Sequence, residues 1–337
     1  LDFETAYDKE YSLTKLTTEE YVRSSQFEAL IVGIKEGDAP AYSKVGADIG
    51  PALRKLKLEE CAVIAHHAHF DGLILNHHYG IRPKVWIDTL SMARPYVDGS
   101  LSLAALARWG NLPAKGEEVV HALGKRLTDF SPLELSRYRR YCENDVELTF
   151  ALASKLSGMY SIQEMRIIDM TIRMFTEPVL RLDLELVREL HDKLVAAKAL
   201  ALILTGESKD TLMSNDKFAQ ALRKLGVEPQ LKVSLRTGKQ TYAFAKTDAA
   251  MRALAEHPDS KVQALVAARL GTKSTLAETR AQRMFGIGAR GPAPVYLYYC
   301  GARQTGRMSG GDKMNWQNNS RNKPVTENSV FGGTVIT

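Results

Sequence analysis

Cysteine is scarce in this sequence, and that scarcity argues against several classes of protein. Three cysteines stand among 337 residues, at positions 61, 142 and 300. They form neither a metal-binding spacing nor an even set for disulfides, which disfavours a disulfide-rich secreted domain and a cysteine-based zinc module. A reducing compartment fits this composition better.

Long apolar runs, leader-like segments, internal repeats and low-complexity tracts are missing as well. No apolar run is long enough to cross a bilayer, so the sequence predicts no membrane-spanning helix. There is no initiating methionine, and the first residues already follow a strand-like pattern. We therefore expect a piece of a longer chain, truncated at both ends.

The rest of the composition is that of an ordinary globular protein. Hydrophobic residues make up 45% of the chain and charged residues 25%, as in most soluble domains. The length suffices for about two domains with a sizeable core. The net charge of +6 mildly favours a polyanionic partner, although charge alone does not establish one.

The first half of the chain alternates between strand-like and helix-like segments. Strands are expected at 1–5, 28–34, 61–66 and 85–87, and helices at 51–58, 70–79, 102–109 and 131–155. Strands come first and then alternate with helices, which predicts an α/β domain with a mixed sheet.

The second half is mainly helical by its pattern. Helices are expected at 161–204 with a break at Glu177–Pro178, at 216–225 and at 248–283. A turn region rich in glycine and proline is expected at 286–294, followed by a strand at 295–299. Gly, Asn, Ser, Arg and Lys dominate residues 301–337.

The candidate catalytic residues are four carboxylates and one phenol: Asp2, Glu4, Asp71, Tyr141 and Asp145. A strand puts Asp2 and Glu4 on one face, and a helix puts Tyr141 and Asp145 one turn apart. Hydrolysis of a phosphodiester needs a nucleophile made from water and positive charge for the transition state. Two divalent ions about 4 Å apart supply both, and carboxylates on separate elements suit Mg²⁺.

Each of these signals is ordinary by itself. Asp2-Phe3-Glu4 alone is more often a polar strand face, and Phe70–Asp71 alone is usually the start of a helix. A Tyr and an Asp four residues apart are usually on a solvated helix face. Together, in this order and on these elements, the residues predict a metal-dependent site much more specifically.

Three segments resemble the exonuclease motifs of the DEDD superfamily, tyrosine type: Asp2–Thr5, His67–Asp71 and Tyr141–Asp145. These are 3′–5′ proofreading exonucleases with a ribonuclease H-like fold, and the resemblance covers roughly residues 1–155. It implies that Asp2, Glu4 and Asp145 bind the first metal ion and that Asp2 bridges to the second. It further implies that Asp71 supports the second ion through water and that Tyr141 aims the nucleophile.

The same resemblance implies contacts with the substrate strand from Thr5 and from position 67. The family usually has Asn four residues before the second-motif Asp, whereas this chain has His67. Histidines are crowded around this motif, at positions 66, 67, 69, 77 and 78. A zinc site is one interpretation, but partner residues at metal-binding spacing are missing. A polar rim around the active site is the favoured alternative.

Two segments of the second half carry basic and polar groups suited to DNA. Residues 267–280 form a predicted helix with basic and hydroxyl groups at 269–275, and residues 301–318 follow a predicted strand. Arg and Lys can contact phosphates, and Asn and Gln can reach minor-groove acceptors. Composition alone would favour a flexible surface loop for 301–318.

These segments resemble the thumb tip and early palm of family A DNA polymerases, particularly those of bacteriophages. Thr305–Ser309 is similar to the Thr-Gly-Arg element, and Asn315–Asn318 is similar to Asn-Leu-Gln-Asn with Trp in place of Leu. The resemblance implies that Lys273, Ser274 and Arg307 contact primer–template phosphates. It also implies that Gln317 and Asn318 lie near the minor groove.

The resemblance implies a ribonuclease H-like exonuclease domain at 1–158, a helical linker and thumb at 159–294, and an incomplete palm at 295–337. The palm and finger motifs that catalyse polymerisation in the family are absent from this sequence. Nucleotidyl transfer is therefore not expected from this chain alone. The tail 322–337 resembles nothing in the family.

The expected function is the proofreading 3′–5′ exonuclease part of a DNA-directed DNA polymerase, with two Mg²⁺ or Mn²⁺ ions. Expected partners are a single-stranded DNA 3′ end, a primer–template duplex and replication proteins of phage or host. The expected location is the cytoplasm of a bacterial host, away from membranes. Two alternatives stay open: a non-catalytic DNA-binding fragment, because the first strand is short, and an exoribonuclease of the same superfamily.

Overall fold

The computed structural model describes residues 1–116, 121–235 and 237–318. The chain forms two compact units. The described part of the first unit comprises residues 1–181 and 290–318, and that of the second comprises residues 182–289. These divisions fall at other positions than the predicted domain limits 158/159 and 294/295. The predicted tail 322–337 lies outside the described residues.

The described part of the first unit contains three sheets and the helices around them. Its strands are β1 (Asp2–Thr5), β2 (Ala29–Ile34), β3 (Tyr42–Val45), β4 (Ala62–Ala65), β5 (Val85–Asp88), β8 (Leu297–Ala302) and β9 (Arg307–Gly310), and its helices are α1 (Thr18–Val22), α2 (Ile49–Lys55), α3 (Ala68–Tyr79), α4 (Thr89–Ala93), α5 (Leu103–Trp109), α6 (Pro132–Ser157) and α7 (Ile162–Thr176).

Strands β1, β2 and β3 form an antiparallel sheet, β4 pairs with β5 in parallel, and β8 pairs with β9 in antiparallel orientation. The N-terminal ammonium of Leu1 donates a hydrogen bond to the carbonyl of Ile64 at 2.8 Å, so β1 and β4 are neighbours at that point. In the register of β1 with β2, Phe3 faces Val32, and both belong to the main core. The alternation of the strand therefore places Asp2 and Glu4 on the other face.

Helix α6 packs closely on that second face. A Cβ atom at Gly33 would lie 2.7 Å from Val146 Cγ2 and 2.9 Å from Cys142 Sγ, so only glycine allows this approach. Ser131 caps the helix in a reciprocal capping box with Glu134. The close packing brings the inner face of α6 against the Asp2 side of the sheet.

Residues 290–318 fold back onto the first unit. Arg290 forms an ion pair with the buried Glu19 at 2.6 Å. Asp312 accepts hydrogen bonds from the backbone amides of Thr18, at 2.6 Å, and Glu19, at 3.3 Å, at the N-terminus of α1. Tyr296 is part of the main core. This segment is thus an integral part of the first unit.

The second unit is built from helices and one hairpin. Its elements are α8 (Leu184–Thr205), α9 (Lys209–Met213), α10 (Asn215–Lys224), β6 (Leu231–Val233), β7 (Gln240–Tyr242), α11 (Ala249–Ala255), α12 (Ser260–Lys273) and α13 (Leu276–Arg290). Phe218, Leu222 and Val266 are central in its core.

The mixed α/β class predicted from the sequence is confirmed. The predicted turn region at 286–294 is wrong at its start, because α13 continues to Arg290. Gly288 serves close packing there: a Cβ would lie 2.7 Å from Leu184 Cδ2. Each helix within the described ranges is too short or too polar to traverse a lipid bilayer.

Candidate metal centre and nucleic-acid contacts

The carboxylates predicted from three distant segments lie close together. Ligand atoms of Asp2, Glu4 and Cys142 lie within 4.8 Å of one another, and this is the one such group among the described residues. Asp145 lies one turn beyond Cys142 on α6 and is 2% exposed. β1 and α6 therefore bring Asp2, Glu4 and Asp145 to one place.

Asp71 joins this cluster from the first turn of α3. Its Oδ1 accepts a hydrogen bond from the backbone amide of Phe3 at 3.0 Å. Because Phe3 separates Asp2 from Glu4 in β1, that bond holds the Asp71 carboxylate beside the strand that carries the other two. The Asp71 side chain is 2% exposed.

Burial is the main influence on the ionisation of this carboxylate cluster. It raises the pKa of Glu4 and of Asp71 well above the ordinary range, and the charge of Asp2 adds to both rises. Burial, followed by the charge of Asp2, raises the pKa of Asp145 to about 6. Crowded buried carboxylates disfavour full ionisation, and a cation bound among them would reverse this effect.

The donor set fits a hard divalent cation. Asp145 Oδ1 is buried and has no hydrogen-bond partner, although a buried carboxylate oxygen normally has one. Asp2, Glu4 and Asp71 supply further carboxylate oxygens, the ligand type that Mg²⁺ and Mn²⁺ accept. Burial raises the pKa of the Cys142 thiol well above its usual value, so this neighbour is a neutral thiol.

Tyr141 lies with its ring against the carboxylate cluster. Burial, followed by the charge of the neighbouring Asp145, raises the pKa of its phenol. Tyr138, one turn earlier on the inner face of α6, donates a hydrogen bond from its hydroxyl to Glu4 Oε2 at 2.6 Å. Tyr138 is not among the site residues predicted from the sequence, although it lies at helical spacing from Tyr141.

Lys115 is a second residue at this centre that was not predicted from the sequence. Its ammonium pairs with Asp145 Oδ2 and lies 5.0 Å from the centroid of the Tyr141 ring. The side chain is 24% exposed. Lys115 lies in a loop without periodic pattern, so nothing local in the sequence signalled its position.

The predicted substrate contacts Thr5 and His67 both have partners within the chain. Thr5 Oγ1 hydrogen-bonds with the hydroxyl of Tyr21 at 2.7 Å. His67 has a left-handed backbone with φ of 73°, its amide donates to Asp88 Oδ1 at 2.8 Å, and its Nε2 hydrogen-bonds with the Tyr296 hydroxyl. Thr5 lines a cavity of about 460 Å³ beside Glu4. The imidazole of His67 instead hydrogen-bonds with Tyr296.

The neighbouring histidines are bound to protein groups and do not converge. His66 contacts Thr89 and the carbonyl of Leu101, and the Nε2 of His69 lies 3.1 Å from the carbonyl of Leu297. Burial lowers the pKa of His66 to about 4 and that of His69 to about 3. Within the described residues, no histidine group has the geometry of a zinc site.

In the second unit, Lys273 and Ser274 are exposed and line a cavity of about 980 Å³. The lining is strongly basic and also includes Lys232, Lys246, Arg269 and Arg283. Arg269 is 1% exposed, and its guanidinium lies 4.3 Å from the Phe218 ring centroid and 4.9 Å from that of Phe244. The remaining predicted contacts are exposed residues of the first unit: Arg307, Gln317 and Asn318.

Comparison with known proteins gives a likeness at the level of structure. No protein-family profile matches the sequence, and no curated protein matches it either. Among solved structures, the chain is similar to the POL domain of Pol1 from M. smegmatis, in a complex with DNA primer-template and dNTP. The TM-score is 0.55 at 18% identity over 88% of this chain. The chain spans 50% of that structure, and at this identity the likeness shows a shared fold alone.

Proposed function

We propose that this protein is a 3′–5′ exonuclease that removes nucleotides from a single-stranded DNA end. The observation that carries the proposal is the carboxylate cluster, with the unpartnered Oδ1 of Asp145. Raised pKa values from burial are typical of sites that do chemistry or bind ions. A structural cluster would be expected to pair these oxygens within the protein.

Asp2, Glu4 and Asp145 would hold one Mg²⁺ or Mn²⁺ ion, and Asp2 and Asp71 would hold a second. Divalent ions supply positive charge and lower the pKa of a bound water. The chain's own groups orient the reaction: Tyr141 beside Asp145 positions the attacking water by a hydrogen bond, and the Tyr138 hydroxyl fixes the Glu4 carboxylate. Both phenols stay protonated at neutral pH, since burial raises their pKa values.

The cavity beside the carboxylate cluster suits a terminal nucleoside. It has a volume of about 460 Å³, and its walls include Leu13, Phe70 and Leu123 next to Glu4 and Thr5. Apolar walls with a few polar groups are typical of small-ligand sites. A base stacked on Phe70 would place its 5′ phosphate near the carboxylates.

We further propose that the chain is part of a family A-type, phage-like DNA polymerase, with the nuclease in proofreading. The similar structure was solved with DNA primer-template, and the second unit carries a basic cavity suited to a phosphate backbone. In this proposal residues 1–158 form a ribonuclease H-like nuclease, 159–294 a linker and thumb, and 295–337 a partial palm. Lys273, Ser274, Arg307, Gln317 and Asn318 would contact the duplex.

A non-catalytic DNA-binding fragment is the second candidate, and the basic cavity of the second unit favours it. Binding of a primer–template duplex without metal-dependent cleavage would support that alternative. An exoribonuclease is tested by offering matched DNA and RNA oligonucleotides. Preferential cleavage of RNA would contradict the assignment to DNA proofreading.

The test is the release of nucleoside 5′-monophosphates from a single-stranded oligodeoxynucleotide with Mg²⁺ or Mn²⁺. Asp145→Ala should abolish release. Glu147→Gln is the matched control, because Glu147 lies on the same helix, pairs with Lys35 and is 43% exposed. Undiminished cleavage by Asp145→Ala, or no cleavage by the unmodified protein, would contradict the proposal.

A further inference from the structure

Lys115 is a cation that the chain itself brings to the carboxylate cluster. Its ammonium pairs with Asp145 Oδ2. Burial raises the pKa of Asp2 and of Asp145, and the charge of Lys115 opposes both rises. The lysine therefore partly neutralises a centre in which four carboxylates meet.

The loop that carries Lys115 is tied to the helix that carries Asp145. Lys155 donates a hydrogen bond to the carbonyl of Gly110 at 3.1 Å, and Asn144 donates to that of Ala114 at 3.4 Å. Both donors belong to α6. The backbone next to Lys115 is thus held by contacts other than the ion pair with Asp145. The ammonium stays within reach of the centre even when Asp145 takes another partner.

A permanent ion pair at this place would oppose metal binding. The ammonium occupies Asp145 Oδ2, an oxygen that a divalent cation would need. When such an ion binds, the ammonium must exchange Asp145 for another anion, and its flexible stem and partial exposure allow that movement. The anion that arrives at such a centre together with the ions is a phosphate, which lysine binds as a point charge.

We propose that Lys115 is a catalytic residue of the nuclease, whose ammonium contacts a non-bridging oxygen of the phosphate that is hydrolysed. This inference rests on the proposed nuclease function. In the reaction the water oxygen bonds to phosphorus, the bond from phosphorus to the 3′ oxygen breaks, and a proton from the water ends on that oxygen. Negative charge grows on the phosphate oxygens, and a positioned cation stabilises it.

The first experiment is single-turnover cleavage of a single-stranded oligodeoxynucleotide at saturating Mn²⁺. Lys115→Met, which keeps most of the stem and removes the charge, should cleave about 100-fold more slowly, and Lys115→Arg should recover part of the rate. The matched control is Lys125→Met. Lys125 makes the same two kinds of contact, with Glu134 Oε1 at 2.5 Å and 5.2 Å from the Phe130 centroid, and should stay within about twofold.

The second experiment separates a phosphate contact from a structural role. The binding affinity of an oligonucleotide with a neutral methylphosphonate at its 3′-terminal linkage is compared with that of the ordinary oligonucleotide. Both are measured in Ca²⁺, and the samples are checked for cleavage products. The unmodified protein should prefer the charged linkage by about tenfold, and Lys115→Met should lose this preference. Mn²⁺ binding without DNA should be equal or tighter in Lys115→Met.

Two outcomes would overturn the role of Lys115 while the nuclease stands. One is cleavage by Lys115→Met at the unmodified rate, and the other is an unchanged preference for the charged linkage. Both would reduce Lys115 to a counter-ion of the metal-free centre. If the unmodified protein is folded and cleaves no DNA, the proposed nuclease function itself fails, and the role of Lys115 fails with it.

Discussion

The two compact units bury charge of opposite sign. The first unit gathers Asp2, Glu4, Asp71 and Asp145, with the ammonium groups of Lys115 and of the Leu1 N-terminus as nearby positive charges. The second buries Arg269, whose guanidinium donates to two backbone carbonyls and one amide oxygen, none of which carries a full charge. Burial lowers the pKa of that guanidinium to about 10. In neither unit is the buried excess charge fully neutralised by groups of opposite charge.

This difference indicates which ligand each unit would attract. A buried charge without a full counter-charge costs several kcal/mol, so it persists where function or a dense network of hydrogen bonds compensates. The buried Asp145 Oδ1 has no donor, and the carboxylate cluster points to cations. Arg269 has acceptors for its two terminal nitrogens but none for its buried Nε, and the lysines around its cavity point to an anion. Four experiments test this contrast.

The largest effect is expected from Asp2→Asn. The substitution removes a carboxylate shared by both proposed ions, so cleavage should fall about a thousandfold, which corresponds to several kcal/mol of lost charge stabilisation. Duplex binding should be unchanged. Single-turnover cleavage and a duplex titration measure the two properties, and a parallel loss of both would contradict the separation of roles between the units.

Arg269→Met should destabilise the second unit by about 3 kcal/mol, because the carbonyls of Leu212 and Ser214 and the side chain of Asn215 lose their donor. Unfolding by urea, followed by hydrogen exchange, would locate the loss. Lys261→Met on the exposed side of α12 is the control. Equal destabilisation of residues 1–181 would show that the units do not unfold separately.

Asp71→Asn should stabilise the metal-free protein at pH 8 and leave it unchanged at pH 4. The pKa of Asp71 is raised by burial and by Asp2, so the folded state holds a proton that the unfolded state has lost. Stability then falls as pH rises from the ordinary Asp value of about 4 through the raised value. The amide removes this loss and can still accept from Phe3.

In EDTA at pH 8, the melting temperature of Asp71→Asn should exceed that of the unmodified protein by roughly 2–4 °C. Added Mg²⁺ should narrow the gap by stabilising the unmodified protein more than Asp71→Asn. A lower melting temperature for Asp71→Asn at pH 8 would mean that the carboxylate is paired within the protein.

The smallest effect is expected from the double variant Lys246→Ala/Lys273→Ala in the basic cavity. Affinity for a primer–template duplex should fall about tenfold at low salt, and the slope of log affinity against log salt should decrease by about 2. Cleavage of a short single strand should not change. A salt slope equal to that of the unmodified protein would remove this cavity from the duplex path.

Local patterns predicted the elements that carry the carboxylates, whereas the order of the motifs and their resemblance to a family predicted that the carboxylates share one site. The period-two strand at 1–5 and the helices predicted at 70–79 and 131–155 match β1, α3 and α6. The convergence also needed Gly33, which no local pattern distinguishes from other glycines. Its importance follows only from the approach of α6.

Long-range contacts were beyond such patterns. Lys115 and Asp145 are distant in the chain, and the loop of Lys115 has no periodicity. His67 hydrogen-bonds with Tyr296, which is 229 positions away, and no local pattern indicates this contact. Each strand of the hairpin β6–β7 has only three residues, and Leu231 and Val233 are exposed, so the alternation is too short to indicate a strand.

Leu180 and Ala293 form an isolated antiparallel bridge within the first unit. The amide of Ala293 donates to the carbonyl of Leu180 at 2.7 Å, so the chain leaves the first unit and re-enters it at the same place. The second unit is therefore an insertion between two neighbouring positions of the first unit. A variant with a short turn in place of residues 182–289 would keep both parts of the first unit, 1–181 and 290–318. Truncation after residue 158 would instead remove residues that pack into the core of that unit, including Tyr296.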